Sequence, residues 1–228
     1  MKMNERVTGK TILVTGANRG IGLEMSRQLS LANNSVIAVC RSASKDLAEL
    51  DVEVIENVDV GTGEGVATLA RQVGDRKIDW LVNNAGVLAT DSLDGLDFEA
   101  IEYQFRVNTM GPLRVSAALL GNLQQGSKIF VITSAMGSIT DNTSGGYYGY
   151  RISKAGVNMA FKSLSVDLQG RGIGVFMLHP GWVATDMSNF KGPVSPEASV
   201  NGLVARMVEL EPEMTGTFRH ARGHDLNW

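Results

Sequence analysis

The sequence contains very few of the residues that build disulfide frameworks or metal sites. Cys40 is the only cysteine among 228 residues, so no internal disulfide can form, and we expect a reducing compartment, the cytoplasm. There are three histidines, His179, His220 and His224, and none has a second plausible ligand at the spacing of a zinc site. The composition therefore predicts neither a disulfide-stapled secreted protein nor a metalloenzyme.

Long apolar runs and a strong net charge are also absent. No apolar run approaches the roughly 18 residues of a membrane span, and the polar start, residues 1–10, lacks the apolar core of a signal peptide. The formal net charge of −3 and the pI near 5.7 argue against a general nucleic-acid binder. We therefore expect no membrane and no nucleic-acid partner. A length of 228 residues with 43% hydrophobic residues is enough for a well-filled core.

Short apolar segments alternate with helical periodicity along the whole chain, without an internal repeat, low-complexity tract or linker. This alternation predicts an α/β fold, a Rossmann-type doubly wound parallel sheet of about seven strands with helices on both faces. We expect a single domain over residues 1–228. The predicted strands cover residues 11–15, 35–41, 52–55, 78–82, 127–134, 175–178 and, as a last edge strand, 215–218.

The first predicted strand runs into a glycine-rich turn that opens a helix. Residues 16–22 have the spacing G-x-x-x-G-x-G, and Ile21, Met25 and Leu29 follow at helical spacing. Because glycine has no Cβ, backbone amides at the helix start can approach a pyrophosphate, whose charge the helix N-terminus favours. The alternative is an ordinary strand-to-helix turn. The strand–turn–helix context favours a nucleotide site.

The end of the second strand indicates which dinucleotide would bind. In a doubly wound sheet, an acid at this position binds a ribose hydroxyl, whereas an arginine accommodates a 2′-phosphate. Here Arg41 ends the strand, the first acid is Asp46, and Arg19 lies inside the glycine turn. Two cations and no carboxylate favour NADP(H) over NAD(H). The alternative for Arg41 is a solvated loop residue.

Polar residues also follow the next two strands and interrupt a helix. Asp59 could contact an adenine amino group or cap the following helix. Residues 83–86, Asn-Asn-Ala-Gly, could meet a cofactor or join neighbouring strand ends. A helix is predicted from Asp97, its N-cap, to Leu123, with a kink at Gly111-Pro112. Asn108, just before the kink, is more simply a satisfied core residue than the holder of a bound water.

The strongest catalytic candidate is a tyrosine with a lysine one helical turn away. Tyr150 and Lys154 share one face of a predicted helix, and a nearby ammonium favours phenolate and lowers a tyrosine pKa toward the working range. Tyr147 and Tyr148 are rivals, although neither has a lysine four residues on. Ser134 is placed at the carboxyl end of the fifth strand, where ligands bind in open α/β sheets.

The segment after the sixth strand predicts a flexible cover. Residues 182–195 are irregular, and Trp182, Met187 and Phe190 suggest an apolar, open mouth to the crevice. Ser195-Pro196 then begins a helix, with serine as N-cap and proline in the first position. Trp228 could fold back on the body or lie at a subunit contact.

Together these features resemble the short-chain dehydrogenase/reductase family. The resemblance covers about residues 15–185 and lies in segments 15–22 and 83–86, in Asn108, Ser134, Tyr150 and Lys154, and in Pro180-Gly181 with Thr185. Within the family, segments 18–24, 144–146 and 178–182 are most similar to C-factor-like carbonyl reductases. The interval between Ser134 and Tyr150 is longer than in many members, which makes Ser138 a rival serine.

This resemblance implies an NADPH-dependent oxidoreductase that reduces a small ketone or aldehyde reversibly. By the family pattern Tyr150 is the acid/base, Ser134 holds the carbonyl oxygen, Lys154 tunes Tyr150 and bonds the nicotinamide ribose, and Asn108 supports a water that resupplies protons. A homodimer or homotetramer is implied through the helices around 97–125 and 150–170. The implied cofactor-binding residues are Gly16, Asn18, Arg19, Gly20, Ile21, Gly22, Arg41, Asp59, Val60, Asn84, Ala85, Gly86, Val107, Tyr150, Lys154, Pro180, Gly181, Val183 and Thr185.

Two other functions stay open at this point. One is a non-catalytic dinucleotide-binding sensor or signalling protein of the C-factor type, because a fold does not determine a function. The other is an epimerase or dehydratase with a permanently bound cofactor. The intact set of Asn108, Ser134, Tyr150 and Lys154 favours the reductase.

Overall fold

The computed structural model describes residues 7–228, so the polar segment 1–6 lies outside the described residues. Seven strands form one sheet in the order β3-β2-β1-β4-β5-β6-β7, and every neighbouring pair is parallel. This confirms the predicted fold class. The strands are β1 (Thr11–Thr15), β2 (Ser35–Val39), β3 (Glu53–Ile55), β4 (Trp80–Asn83), β5 (Lys128–Ile132), β6 (Gly174–His179) and β7 (Phe218–His220).

Helices connect the strands, and most of them begin at the residues that the sequence indicates. Asp97 and Ser195 cap their helices through side-chain oxygens that accept from Ala100 N and Ala198 N. Residues 7–228 form the helices α1 (Gly20–Leu31), α2 (Lys45–Ala48), α3 (Gly63–Val73), α4 (Phe98–Phe105), α5 (Gly111–Ala118), α6 (Tyr148–Gln169) and α7 (Pro196–Glu209). The single turn of α2 was not predicted.

Alternate residues of each central strand pack into separate cores on the two faces of the sheet. Leu13 contributes to one cluster, together with residues from α3, α5 and α6, while Ile12 and Val14 contribute to the other, together with residues from α1 and α7. Phe130, fully buried in β5, packs its ring 5.5 Å from those of Trp80 and Phe176. Burial on both faces explains why the strands are continuously apolar rather than alternating.

The helical pattern around Gly111-Pro112 is interrupted one turn earlier than expected. Residues Arg106–Met110 form a π-helical segment, and α5 follows it directly from Gly111. Pro112 lies in the first turn of α5, where its missing N–H costs little. Short π-helical insertions are frequent at functional sites, and this one contains Asn108.

Three predicted boundaries also differ from the structure. The helix ends at Ala118 rather than Leu123, and the chain then turns so that Asn122 Nδ2 donates to Gly74 O and Arg76 O. β5 stops at Ile132 instead of continuing through Ser134. β7 begins at Phe218, after Gly216 in the left-handed region, rather than at residue 215.

No helix formed by residues 7–228 has both the length and the apolar character needed to cross a bilayer. The functionally important consequence of the topology lies at the carboxyl edge of the sheet. Because β1 pairs with β2 on one side and β4 on the other, their connections leave in opposite directions and open a crevice there.

Candidate active site

A cleft of about 530 Å³ lies at the carboxyl edge of the sheet. It collects side chains and backbone from the glycine turn, from the ends of several strands, from the π-helical segment, from α6 and from the cover after β6. Of the sequence-predicted residues, it is lined by Gly16, Asn18, Arg19, Gly20, Ile21, Arg41, Asp59, Val60, Asn84, Ala85, Gly86, Val107, Tyr150, Lys154, Pro180 and Thr185.

Gly22, Gly181 and Val183 were assigned to cofactor binding but do not line the cleft. A Cβ on Gly22 would lie 2.2 Å from Gly16 O and 2.5 Å from Asn84 Nδ2, so this glycine lets α1 pack against the turn. Conversely, sequence reasoning missed several lining residues, most of them apolar neighbours of a recognised motif. These are Val39, Cys40, Val58, Val87, Tyr103, Ile132, Thr133 and Asp186, whereas Met187, which the sequence places at the mouth of the crevice, lines the cleft as expected.

The start of α1 has the properties of an anion site. Its N-cap residue, Arg19, makes no side-chain capping bond, and the first turn contains no acid. Gly16 has φ +67°, and a Cβ there would lie 2.8 Å from Ala85 Cα. The glycine turn can therefore lie against β4 and present helix N-terminal amides to the cleft, which fits the pyrophosphate of a dinucleotide.

Two arginines line the cleft, and one of them lies just after β2. Arg41 follows the strand, and Arg19 Nη1 lies 3.3 Å from Asp186 Oδ2 of the cover. No carboxylate from the end of β2 lines the cleft within the described residues. Asp59 Oδ1 accepts from Gly61 N at 2.8 Å, whereas Thr62 caps α3, so the helix-cap alternative for Asp59 is wrong.

The structure brings Tyr150, Ser134 and Lys154 together. Tyr150 is buried near the start of α6, and its hydroxyl is hydrogen-bonded to Ser134. Lys154 Nζ lies 5.6 Å from the centroid of the Tyr150 ring and donates to Ile132 O at 3.0 Å. The rival serine, Ser138, instead donates to Trp228 O at 3.2 Å. Among the three neighbouring tyrosines of this helix start, Tyr150 lines the cleft.

Burial controls the protonation of this pair. It raises the pKa of Tyr150 to about 12, and the hydrogen bond with Ser134 opposes the rise. It also lowers the pKa of Lys154 from 10.5 to about 8. Burial and Ser134 are the causes of this shift, so the expectation that Lys154 lowers the pKa of Tyr150 stays a prediction. The phenol keeps its proton at pH 7, and burial makes it a weaker acid than a free tyrosine.

Asn108 is a fully satisfied core residue, the simpler of the two interpretations. Its Nδ2 donates to Val87 O at 2.8 Å and to Ser153 Oγ at 3.0 Å, while its Oδ1 accepts from Val87 N at 2.8 Å. Both donors of the side chain are used by protein groups. Its direct effect is to join the π-helical segment to the chain after β4 and to α6.

The three histidines cluster in the structure: His179 meets His220 edge-to-face, and His224 stacks on His220. The parallel register pairs His179 of β6 with His220 of β7, and their ring centroids lie 4.8 Å apart. His224 stacks on His220 at 4.7 Å. Burial, followed by the neighbouring cations, lowers the pKa of His179 to about 3. Across residues 7–228, no three His, Cys, Asp or Glu side chains are arranged as a metal site.

Trp228 folds back on the body of the protein. Its ring lies 5.5 Å from that of Phe218, with Lys162 Nζ 6.0 Å from its centroid. Its carbonyl accepts from Ser138 Oγ and from Thr140 N. The chain end is therefore tied to the loop that follows β5, close to Ser134.

Comparison with known proteins is consistent with this geometry. Residues 10–193 match the short chain dehydrogenase family. The 1-hydroxy-2-glutathionyl-2-methyl-3-butene dehydrogenase of Rhodococcus sp. (strain AD45) is 41% identical, over 96% of this chain and 99% of that protein. The C-signal protein of Myxococcus xanthus is also 41% identical, over 66% of this chain and 93% of that protein. The crystal structure of NADPH-bound carbonyl reductase from chicken fatty liver has a TM-score of 0.87 at 28% identity, covering 97% of this chain and 100% of that chain.

The buried lysine predicts a pH dependence of stability. Relative to Lys154→Met, the wild type should gain stability as pH rises from about 8 toward 10.5, because the unfolded chain still binds the lysine proton in this window and the folded chain has released it. Urea denaturation of both proteins across this range measures the difference. Lys45→Met, which removes an exposed charge, is the control. A difference that does not change with pH would contradict the prediction.

Proposed function

Because the chain belongs to the short-chain dehydrogenase family, we propose that it is an NADP(H)-dependent carbonyl reductase that interconverts a small ketone or aldehyde with its alcohol. The observation that carries this proposal is the buried Tyr150 hydroxyl, hydrogen-bonded to Ser134 beside Lys154, in the same cleft as the glycine turn. We also propose that residues 1–228 act as one dinucleotide-binding domain. The family membership and the NADPH-bound structural relative support both proposals.

The glycine turn and the start of α1 would hold the pyrophosphate of NADP(H), and Arg19 and Arg41 would bind its 2′-phosphate. Ala85, Gly86, Pro180 and Thr185 line the remaining cleft and would contact the nicotinamide half. When bound, the cofactor supplies or accepts the hydride. The protein supplies position and a proton.

Tyr150 is the proposed acid in the reduction direction. Its phenol is protonated at pH 7, and a protonated phenol next to the carbonyl oxygen can donate as negative charge develops there. Ser134 is proposed to hold the same oxygen by a hydrogen bond. The Lys154 ammonium, whose pKa of about 8 keeps it largely protonated at pH 7, favours the phenolate left after the transfer.

The proposed roles of Lys154 and Asn108 include ribose binding and proton resupply. Lys154 Nζ is bonded to Ile132 O, which holds it at the cleft wall. The donors of Asn108 are committed to Val87 and Ser153, so a water at this position would bond to its remaining acceptor or to the π-helical backbone. Asn108 is therefore proposed to shape the proton route rather than to donate to it.

Exposed apolar side chains on the cover support an apolar substrate. Trp182 and Phe190 are 61% and 67% exposed, and Met187 lines the cleft itself. The Rhodococcus relative is named for an alcohol that carries both a glutathionyl and an unsaturated hydrocarbon group. Aldehydes and ketones with apolar bodies, and a glutathione-thioether alcohol, are the substrates to try first.

The second candidate is a dinucleotide-binding signalling protein without turnover, and the C-signal relative supports it. The two proposals differ in one measurement. A reductase consumes NADPH with at least one carbonyl, whereas a pure sensor binds NADPH tightly and turns over none. The intact Ser134, Tyr150 and Lys154 favour the reductase.

We propose that the protein works in the cytoplasm as a homodimer or homotetramer. The outer face of α6 carries Ile152, Met159 and Val166 at intervals of seven residues, 49%, 68% and 64% exposed. Seven residues are two helical turns, so the three side chains form one apolar stripe on the surface. A second copy of the chain packed on this stripe would bury it.

Replacing Tyr150 with Phe should lower kcat by about 10²–10⁴-fold, because the general acid is removed. NADPH binding, measured by fluorescence titration, should be retained. The assay follows NADPH absorbance with a panel of aldehydes and ketones for the wild type and the variant. Tyr147→Phe is the matched control, since this phenol lies at the same helix start but outside the cleft lining. Unchanged turnover in Tyr150→Phe would refute the assignment.

Replacing Arg41 or Arg19 with a neutral residue should weaken the binding of NADPH much more than the binding of NADH. Each variant loses a charge-assisted bond to the 2′-phosphate, worth about tenfold or more in KM for NADPH. Steady-state kinetics with both cofactors on one carbonyl substrate give the comparison. Arg71→Ala, on the exposed side of α3, controls for the lost charge. An equal loss for NADPH and NADH would rule out this mode of phosphate recognition.

A charge in the α6 stripe should dissociate the oligomer. Met159→Glu places a carboxylate where the apolar contact is proposed, and light scattering should show a smaller particle than for the wild type. Leu31→Glu adds the same charge at another exposed apolar position, 71% exposed, and should leave the mass unchanged. A wild-type monomer, or a variant of unchanged mass, would argue against this interface.

A further inference from the structure

The helix that carries Tyr150 does not cap its own N-terminus. Its N-cap residue, Tyr147, lies in the left-handed region with φ +51° and makes no side-chain capping bond. By contrast, Asp97 caps α4 and Ser195 caps α7 through their own side chains. An uncapped helix start leaves backbone N–H groups without partners and frays readily.

Asp91, a half-buried residue of the segment between β4 and α4, supplies the missing cap. Its carboxylate oxygens accept from Tyr148 N, through Oδ1, and from Gly149 N, through Oδ2 at 2.9 Å. Its main-chain carbonyl accepts from Tyr147 N at 3.1 Å. Three successive amides, ending one residue before Tyr150, are therefore held by one residue that is 56 to 58 positions away in sequence.

Asp91 is itself held by an extended strap, residues 87–91. Val87 exchanges two hydrogen bonds with the Asn108 side chain, and Ala89 N donates to Gln104 Oε1 at 2.9 Å. Alternate residues of the strap thus contact the π-helical segment, α4 and α6 in turn. The position of Asp91 relative to the cleft is consequently determined by elements that line or adjoin it.

The first turn of α6 is also pressed against α4. A Cβ on Gly149 would lie 2.5 Å from Gln104 Nε2 and 3.0 Å from Ile101 Cγ1, so no side chain separates the two helices here. The close contact limits how far the first turn of α6 can move toward α4. Asp91 holds the backbone amides at the N-terminus of the same turn. Together the α4 contact and the Asp91 bonds position the turn from which the Tyr150 hydroxyl reaches Ser134.

We propose that Asp91 is a positioning residue for Tyr150. Asp91 caps α6 from a distant part of the same chain and so fixes the direction of the Tyr150 phenol. The inference rests on the proposed function of Tyr150 as the acid. Asp91 touches neither the phenol nor the reacting atoms in this arrangement. Its loss releases the first turn of α6, and a displacement of about 1 Å at a reacting group can cost about 10²-fold in rate.

The test compares Asp91→Ala and Asp91→Asn with Asp97→Ala. Asp97→Ala removes a cap of the same chemistry from α4 and measures what the loss of a helix cap costs by itself. Asp91→Asn keeps one side-chain carbonyl oxygen and can still accept one of the two amides. Each variant is assayed with NADPH and the best carbonyl substrate at a temperature well below its melting temperature.

Asp91→Ala should lose about 10²-fold in kcat with little change in KM for NADPH, because the cofactor part of the cleft is untouched. The primary isotope effect with NADPH deuterated at the transferred position should rise as the chemical step becomes limiting. Asp91→Asn should recover most of the activity, and Asp97→Ala should keep it. The proposal would be overturned if Asp91→Ala and Asp97→Ala lost the same factor in kcat. It would also be overturned if the activity lost in Asp91→Ala were fully explained by the fraction of that variant that is unfolded.

Hydrogen exchange separates this inference from the proposed function. In Asp91→Ala, and to a smaller degree in Asp91→Asn, the amides of residues 147–149 should exchange faster than in the wild type and in Asp97→Ala. A wild type that turns over no carbonyl, with these amides still protected through Asp91, would contradict the proposed reductase and leave the cap intact. Unchanged protection in both Asp91 variants would contradict the cap itself, whatever the activity. If Asp91→Ala does not fold, Asp91→Asn provides the same comparisons.

Discussion

The whole site depends on a small set of hydrogen bonds that join the carboxyl ends of β1 and β4. Thr15 Oγ1 accepts from both Asn84 N and Ala85 N, at 3.0 and 3.1 Å, and Asn84 Nδ2 donates to Thr15 O and Gly16 O. These bonds hold the glycine turn against the residues that directly follow β4, at the point where the sheet topology opens a crevice. Without these bonds, the anion site at the start of α1 would not be held in a fixed position relative to the Tyr150 side of the cleft.

Burial is the second constraint, and it acts on both members of the proposed catalytic pair, Tyr150 and Lys154. It raises the pKa of Tyr150 and lowers that of Lys154, so both charged forms are disfavoured in the folded protein. At pH 7 the phenol is neutral in the folded and in the unfolded chain, so the cost falls on Lys154, and the surrounding packing offsets it. The hydrogen bond from Lys154 to Ile132 recovers part of that cost, and the one between Tyr150 and Ser134 fixes where the phenol is held.

Local signals explain which features could be predicted from the sequence. The glycine turn, the caps Asp97 and Ser195, and the Tyr150–Lys154 spacing all depend on residues within a few positions of each other, and the structure places them as expected. The π-helical segment around Asn108 could not be predicted, because its hydrogen bonds are decided by contacts with Val87 and Ser153. For the same reason the histidine cluster, in which the β6–β7 register brings His179 next to His220, has no signature in the spacing of His179, His220 and His224.

The direction of the Tyr150 pKa shift is another property that could not be predicted from the sequence. A helical spacing of four fixes that Lys154 is near, but it says nothing about how much water either group has lost. That quantity depends on the strand ends, the strap and α4, which are up to about a hundred residues apart in sequence and meet only when the sheet is complete. Most of the contacts that shape the cleft join a side chain of one element to the backbone of another, and each contributes only about 1 kcal/mol. The geometry of the acid is consequently a cooperative property of the folded sheet, and α6 alone would not reproduce it.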